Sequence, residues 1–273
     1  MIPKIIHYCW FGGNPLPELA LKCIASWKKY FPDYEIKEWN QSNYDVHKIS
    51  YISEAYNAKK YAFVSDYARF DILYQYGGIY FDVDVEVIKP FGDIMNNIGF
   101  MGAEKSFFGL KVDVAAGLGV GCNADLEVVL EILKSYANEH FLCNDGIHEY
   151  NLKTIVNRVT EIFVKKGFDT KSNKTQKVAD ITIYPPEYFA PKNFRTGVTK
   201  ITENTYSIHH YDGSWLSERD IKRMEKSYKI YKILGVNVFS RLLISFMYMI
   251  NHLLEDGLIN TVKIYAKIIL GKK

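Results

Sequence analysis

The two carboxylates of Asp82-Val83-Asp84 are the residues best suited to chemistry in this 273-residue chain. They follow Ile79 and Phe81, which predict a short buried strand after a Gly77-Gly78 turn. On a regular strand, side chains two positions apart point the same way, so both carboxylates can bind one divalent cation. Mg²⁺ and Mn²⁺ prefer such oxygen ligands and often share them with substrate phosphates. A pair of solvated aspartates in a turn is the structural alternative.

Three further features are suited to complete such a site. Asp66 and Arg69 lie one turn apart on a predicted helix, where the simplest interpretation is a surface ion pair. The segment His209-His210-Tyr211-Asp212-Gly213-Ser214-Trp215 offers imidazoles that can bind a metal and an indole N–H that can donate to phosphate. Trp10 is either a core aromatic residue or a surface on which a nucleotide base can stack.

The elements that must position these residues alternate along the first ninety residues. The pattern predicts strands over 2–8, 34–39 and 79–81, and helices over 17–30, 50–58 and 60–76. This order favours an α/β fold with a mostly parallel sheet, in which ligands bind outside the carboxyl ends of strands. Trp10 and the two carboxylates both follow strands, so we expect them to face one crevice. Beyond residue 90, the pattern predicts helices over 125–137 and 149–166 and strands over 181–184 and 206–211.

Composition and short motifs exclude several classes of protein. With 48% hydrophobic and 24% charged residues, the chain is typical of a folded globular protein. Its four cysteines form no C-x-x-C pair, which argues against a zinc knuckle or a disulfide framework and favours a reducing compartment. The chain lacks a P-loop and a G-x-S-x-G elbow, and Gly117, Gly119 and Gly121 lack the dinucleotide spacing. The start, MIPKIIHYCW, is too short and polar for a signal peptide, so we expect a cytoplasmic location.

The C-terminal segment differs in charge from the rest of the chain. From Asp220 onward there are ten basic and four acidic residues, and no nucleic-acid-binding motif accompanies them. The uninterrupted apolar run, 242–250, is far shorter than the roughly 20 residues of a membrane-spanning helix. We therefore predict a catalytic domain over 1–216 and a basic, amphipathic helical extension over 217–273. The extension either packs on the α/β core or touches an anionic membrane surface.

Four segments, in their order along the chain, resemble glycosyltransferase family 32. They are IPKIIHYCWFGG, Ser26-Trp27, SDYARFDILYQYGGIYFDVDVEVIKP and HHYDGSW. The family includes bacterial capsule and lipopolysaccharide sugar transferases and yeast mannosyltransferases, and the clostridial glucosylating toxins are similar at a distance. The resemblance implies a GT-A fold and a retaining enzyme that uses a nucleotide sugar and Mn²⁺ or Mg²⁺.

The resemblance also implies roles for individual residues on the donor side. Trp10 matches the aromatic residue that stacks on the donor base. Asp66 and Arg69 match the pair that holds the hydroxyls of the donor sugar. Trp215 resembles the indole that donates to the β-phosphate, and Ser214 beside it is a further candidate for donor binding.

For the metal, the resemblance implies three ligands. Asp82 matches the first carboxylate, which contacts ribose, sugar and often the metal, and Asp84 matches the direct metal ligand. His210 lies in an H-x-x-G pattern like that of a C-terminal metal ligand in related enzymes, but the choice between His209 and His210 stays open. From these implied roles, the predicted catalytic residues are Asp66, Arg69, Asp82 and Asp84.

The function that follows is transfer of a hexose, with a UDP-sugar preferred, to a glycan or lipid-linked glycan during synthesis of a bacterial surface polysaccharide. No carboxylate nucleophile stands out, so same-face attack by the acceptor hydroxyl is favoured over double displacement. One alternative is a phosphohydrolase of the haloacid-dehalogenase type, whose motif needs Thr or Val where this chain has Glu86. The other is a non-catalytic protein that binds a nucleotide sugar.

Overall fold

The structure is a computed structural model that describes residues 1–106, 111–143, 149–213 and 216–269. Contacts divide the chain into two compact units. The first comprises residues 1–192 with 199–215, and the second comprises 193–198 with the residues from 216 onward. The assignment of 1–216 and 217–273 as separate domains stays a prediction.

The first unit alternates strands and helices along its length. Its strands are β1 (Ile5–Cys9), β2 (Glu35–Trp39), β3 (Gly78–Tyr80), β4 (Val85–Val87), β5 (Gly99–Lys105), β6 (Val112–Cys122), β7 (Gln176–Val178), β8 (Ile181–Tyr184) and β9 (Ser207–His209). Its helices are α1 (Glu18–Tyr30), α2 (Ser50–Asn57), α3 (Tyr61–Tyr76), a 3₁₀ turn (Gly92–Asn96), α4 (Glu127–Lys134), α5 (Ile155–Lys165) and α6 (Pro186–Phe189).

The second unit is helical. It contains α7 (Glu218–Leu234) and α8 (Val238–Ile269), and α8 is interrupted at Gly257, where φ is +75°. Ser217 caps α7 through a hydrogen bond from the Asp220 N–H to its hydroxyl. Along the described residues, we find no helix with the length and apolar content needed to cross a membrane.

Within the described residues, seven strands form the central sheet in the order β2-β1-β3-β6-β5-β8-β7. The pairing directions make β2, β1, β3, β5 and β8 run one way, with β6 and β7 opposed to them. β4 and β9 form a separate antiparallel pair. The predicted α/β class, with a mostly parallel central sheet and a C-terminal helical appendage, is confirmed.

Side chains of successive strand residues pack into two cores on opposite faces of the sheet. Ile79 packs with α1, the 3₁₀ turn and α6, whereas Tyr80 packs with α2, α3, α4 and α5. This alternation is the period-two geometry of a strand that is covered by helices on both faces. Helices on both faces of the sheet therefore hold the carboxyl end of β3, at Tyr80, rigidly in place.

A buried histidine connects β1 to its neighbours. His7 Nδ1 lies 3.1 Å from Trp39 Nε1, and His7 Nε2 lies 2.9 Å from the carbonyl oxygen of Gly77, the residue that ends α3. An indole N–H can only donate, so Nδ1 accepts and the proton on Nε2 points to Gly77. Burial lowers the pKa of His7 to about 4, so the imidazole is neutral at pH 7.

Candidate active site

The Asp82–Asp84 segment forms a turn rather than a continuation of the strand. The Val85 N–H donates to the Asp82 carbonyl at 3.0 Å, which closes the turn between β3 and β4. The expectation of two carboxylates on a regular strand is thus wrong in its backbone geometry. The turn nevertheless keeps the two side chains together, because ligand oxygens of Asp82 and Asp84 lie within 4.8 Å of each other.

Helix α1 fixes the strand that follows this turn. The Trp27 indole is fully buried, and its N–H donates to the Val85 carbonyl at 2.7 Å. The hydroxyl of Ser26 accepts a hydrogen bond from the Val87 N–H at 2.9 Å. Ser26 and Trp27 therefore hold β4 in place. This dipeptide is one of the four segments on which the family resemblance is based, and its role in the structure is to support β4.

His209 joins the two carboxylates through strand pairing. β9 runs antiparallel to β4, with His209 in register with Val85. His209 Nε2 lies 3.1 Å from Asp84 Oδ1, and the Asp212 N–H donates to Asp84 Oδ2 at 2.9 Å. Single ligand atoms of Asp82, Asp84 and His209 all lie within 4.8 Å of one another.

His210, the histidine that the resemblance favoured, lies elsewhere. Its Nε2 is 2.8 Å from Glu86 Oε2, and Lys22 Nζ is 2.9 Å from the same oxygen. Of the two histidines that the sequence left open, the structure brings His209 to the carboxylate pair and directs His210 to Glu86. The metal-ligand role that the resemblance gave to His210 stays a prediction, and His209 is the histidine that lies beside the carboxylates.

Arg69 connects α3 to the turn. Its Nη2 atom lies 2.8 Å from Asp66 Oδ1 and 3.2 Å from Asp82 Oδ1, and its Nε donates to the Ser65 carbonyl at 3.1 Å. The Arg69 side chain is only 5% exposed, and that of Asp66 is 16% exposed. The two residues are therefore a buried bridge to Asp82 rather than the surface ion pair that their spacing alone suggests.

The ionisation of this cluster is uneven. Burial raises the pKa of Asp66 to about 6, although the Arg69 charge opposes the shift. Burial also raises the pKa of Asp82, with a contribution from the Asp84 charge. Burial acts in the same direction on Asp84, but the charge and hydrogen bond of His209 and the Asp212 N–H outweigh it and lower the Asp84 pKa. Asp84 is thus the most strongly ionised of the three carboxylates.

Gly117 on β6 is a site residue that the sequence interpretation missed. A Cβ atom at this position would lie 2.1 Å from Asp82 Oδ2 and 3.3 Å from Arg69 Nη1, so only glycine leaves room for them. Gly119 and Gly121 similarly make room for the rings of Phe81 and Phe100. The G-x-G-x-G spacing, dismissed as a failed dinucleotide pattern, was the available signal.

Glu104 and Tyr211 were also not anticipated. The Tyr211 hydroxyl donates to Glu104 Oε2 at 3.0 Å, and the Tyr211 ring meets the His209 ring edge-on with centroids 4.3 Å apart. Tyr211 adopts φ +54°, a left-handed conformation that turns the chain directly after β9. Burial raises the pKa of Glu104, partly offset by the nearby charge of His209.

The aromatic candidates are only partly described. Trp10 follows β1 and is half-buried, and its indole N–H donates to the Asn14 carbonyl at 2.6 Å. Ser214 and Trp215 lie outside the described residues. Their predicted roles in donor binding stay predictions, as does the stacking role of Trp10.

The donor atoms of the cluster fit a divalent cation. Two carboxylate oxygens and one imidazole nitrogen suit Mn²⁺, and the carboxylates by themselves suit Mg²⁺. Arg69 is paired with Asp82 and partly neutralises its charge. Asp84 is ionised, so its negative charge is available to attract a metal cation. Asp82, Asp84 and His209 are thus the residues that would hold the ion.

Residues 17–102 match the family model described as "Glycosyltransferase sugar-binding region containing DXD motif". The chain is 37% identical over 148 residues to inositol phosphoceramide mannosyltransferase 3 of Schizosaccharomyces pombe, covering 51% of this chain and 40% of the relative. It is 30% identical over 111 residues to inositol phosphoceramide mannosyltransferase 1 of the same yeast, covering 37% and 33%. Among solved structures, PaToxG Glycosyltransferase aligns with a TM-score of 0.44 and 20% identity, covering 61% of this chain and 70% of that one.

The chain thus spans 33% to 40% of the length of the two curated yeast relatives. The region matched by the family model contains Asp66, Arg69, Asp82 and Asp84, and it does not include the segments IPKIIHYCWFGG and HHYDGSW on which the resemblance was also based. The resemblance to glycosyltransferases with a D-x-D motif is confirmed.

Proposed function

We propose that this chain is a metal-dependent, retaining glycosyltransferase that moves a hexose from a nucleotide sugar to a hydroxyl group of a glycan or lipid-linked glycan. The observation that supports the proposal most directly is the convergence of Asp82, Asp84 and His209 within 4.8 Å. Arg69 and Asp66 lie against the same cluster. A divalent-cation site beside a charged pair suits a donor that has a diphosphate at one end and a sugar at the other.

The metal ligands would be Asp82, Asp84 and His209. When bound there, Mn²⁺ or Mg²⁺ would neutralise the charge that develops on the leaving diphosphate. The low pKa of Asp84 keeps this ligand ionised at neutral pH. Trp27 and Ser26 hold the backbone of β4, which starts directly after Asp84, so the ligand is presented from a rigid support.

Arg69 and Asp66 are proposed to orient the donor sugar. Arg69 bonds to both Asp66 and Asp82 and thereby fixes the two carboxylates relative to each other. Asp66 keeps a small exposed fraction, through which its carboxylate can accept hydrogen bonds from sugar hydroxyls. Such fixed contacts place the anomeric carbon for attack, which is a source of rate acceleration in itself.

In the reaction, the acceptor oxygen bonds to the anomeric carbon while the bond from that carbon to the diphosphate oxygen breaks. The proton of the acceptor hydroxyl passes to the departing diphosphate oxygen, so charge and atoms balance. Attack on the same face gives retention of configuration, and we favour it over double displacement. A double displacement would need a carboxylate free to bond the sugar, and Asp66 and Asp82 are both engaged by Arg69.

A UDP-sugar remains our preferred donor, and the mannosyltransferase names of the relatives add weight to GDP-mannose. Trp10 is proposed to stack on the base of either nucleotide. Synthesis of a bacterial capsule or lipopolysaccharide is the setting that the resemblance implies, with a cytoplasmic enzyme at the inner membrane face when the acceptor is lipid-linked.

The test is a nucleotide-release screen with UDP-, GDP- and CMP-sugars, with and without Mn²⁺. The wild-type protein is compared with Asp84→Ala and with Asp93→Ala, an exposed aspartate outside the site. We expect slow, metal-dependent release from one donor, lost in Asp84→Ala and kept in Asp93→Ala. Folded protein that binds a donor without releasing nucleotide would favour the non-catalytic alternative, and hydrolysis of simple phosphate esters would favour the phosphohydrolase.

A further inference from the structure

Helix α8 exposes large apolar side chains along one face. They share the helical spacing of three and four residues and comprise Val238, Phe239, Leu242, Leu243, Phe246, Ile250, Leu253 and Leu254. On a helical wheel this set spans an arc of about 160°. Phe239 and Leu242 are 66% and 65% exposed, so the face is open over its first two turns. We call this set the α8 stripe.

The opposite side of α8 is the side that packs. Ser240 is fully buried and Ile244 nearly so. Tyr248, on the same side, shares a hydrogen bond of 3.3 Å with Ser227 of α7. One face of α8 therefore packs within its own unit, and the α8 stripe on the other face is exposed.

Ile233 and Leu234 at the end of α7 and Val236 in the turn that follows are also exposed apolar residues. Isolated exposed apolar residues are ordinary, but a contiguous set of this kind marks a docking surface.

The charged residues between Lys226 and Leu254 are all basic, and this interval is flanked by Glu225 before it and by Glu255 and Asp256 after it. Lys226, Lys229, Lys232 and Arg241 lie in the same interval, and all four are exposed. An exposed apolar helix face with basic residues beside it is the pattern of helices that lie in the plane of an anionic membrane interface.

We propose that the α7–α8 hairpin docks on an anionic lipid surface, with the α8 stripe inserted among the acyl chains and the four basic residues at the headgroups. The proposal does not depend on the transferase activity. A second copy of the chain is the rival occupant of the stripe. It fits the charges less well, because a self-complementary interface would bring like-charged residues together across the two-fold axis.

The experiment is vesicle co-sedimentation of the full chain. One set of vesicles contains phosphatidylcholine alone, and the other contains phosphatidylcholine and phosphatidylglycerol in equal parts. The test variant is Leu242→Ser, and its matched control is Leu21→Ser, which removes a leucine of similar exposure from α1. We expect wild type and Leu21→Ser to bind the anionic vesicles and Leu242→Ser to bind them about tenfold more weakly.

Two further measurements give independent readouts. In Phe239→Trp, the added indole should shift its fluorescence emission to shorter wavelength when anionic vesicles are added. Binding should also weaken as salt is raised, because lipid charges are screened.

Three outcomes would overturn the proposal. One is a folded wild-type protein that binds neither kind of vesicle. Another is equal binding to neutral and anionic vesicles. The third is a wild-type dimer in light scattering that Leu242→Ser converts to a monomer, which would assign the stripe to a second copy.

Discussion

His209 Nε2 lies 3.1 Å from Asp84 Oδ1, and the pairing of two short strands sets this distance. β4 begins directly after Asp84, and β9 ends at His209. Because side chains alternate along a strand, the same pairing directs His210 to the opposite side, where it meets Glu86. The proposed metal site therefore depends on the register between β4 and β9.

Replacement of the two histidines should separate their roles. We expect His209→Ala to weaken Mn²⁺ affinity roughly 10- to 100-fold, because a site of three protein ligands loses one of them. His210→Ala should have a much smaller effect, since it removes only the contact with Glu86. Electron paramagnetic resonance of free Mn²⁺ during a titration measures both affinities without requiring turnover. A larger loss in His210→Ala than in His209→Ala would contradict the assignment.

Replacement of Asp66 should raise stability while it lowers activity. The pKa of Asp66 is raised from 3.8 to about 6, so the folded state binds a proton more tightly than the unfolded state. Ionisation of Asp66 therefore lowers the free energy of unfolding above pH 6. This loss disappears as pH falls below that value and the carboxylate of the folded state is protonated. We expect Asp66→Asn to increase the free energy of unfolding at pH 8 by on the order of 1–3 kcal/mol.

The same Asp66→Asn variant should have a strongly reduced kcat/KM, because a neutral amide replaces the carboxylate proposed to hold the sugar. Urea unfolding and the nucleotide-release assay measure the two effects on one preparation. A variant that loses stability and keeps its activity would indicate that Asp66 has only a structural role as the partner of Arg69.

Gly117→Ala should damage the site more than the fold. The new Cβ would lie 2.1 Å from Asp82 Oδ2, so the carboxylate must move away from its position beside Arg69. We expect Mn²⁺ affinity to fall about tenfold or more, as for other residues that orient a ligand. Gly121→Ala is the matched control on the same strand, because its Cβ would instead press on the Phe100 ring, at 2.3 Å. The control should lose thermal stability and keep its metal affinity.

His7 should make the fold sensitive to mild acid. Its pKa is lowered from 6.5 to about 4, so the folded state resists protonation that the unfolded chain accepts. The contribution of neutral His7 to the free energy of unfolding is therefore fully present above pH 6.5 and is lost as pH falls towards 4. The loss is about 2 kcal/mol at pH 5. Urea unfolding at pH 7 and pH 5 measures it.

A matched pair of variants isolates this contribution of His7. His7→Gln should remove most of the pH dependence that His7 causes, whereas His47→Gln, which changes an exposed histidine, should keep it. Equal pH dependence in wild type and His7→Gln would show that another group is responsible.

Local signals in the sequence were sufficient for much of the first half of the chain. Helix periodicity and the Gly77-Gly78 pair predicted α3 and its end, and the apolar residues before Asp82 predicted β3. By contrast, β5 and β6 were not predicted. Their small residues have low strand propensity, and long-range pairing with β3 and β8 holds them in the sheet.

What the sequence determined by itself was the chemistry available: the carboxylates of the D-x-D segment, the Asp66–Arg69 pair and a histidine near residue 210. Only the tertiary structure decided which atoms meet. Two adjacent histidines point to opposite sides of a strand, and a shift of one residue in register would exchange them. That register arises from long-range pairing with β4 and from the anchoring of β4 by Trp27, and neither is encoded in the local pattern around His209.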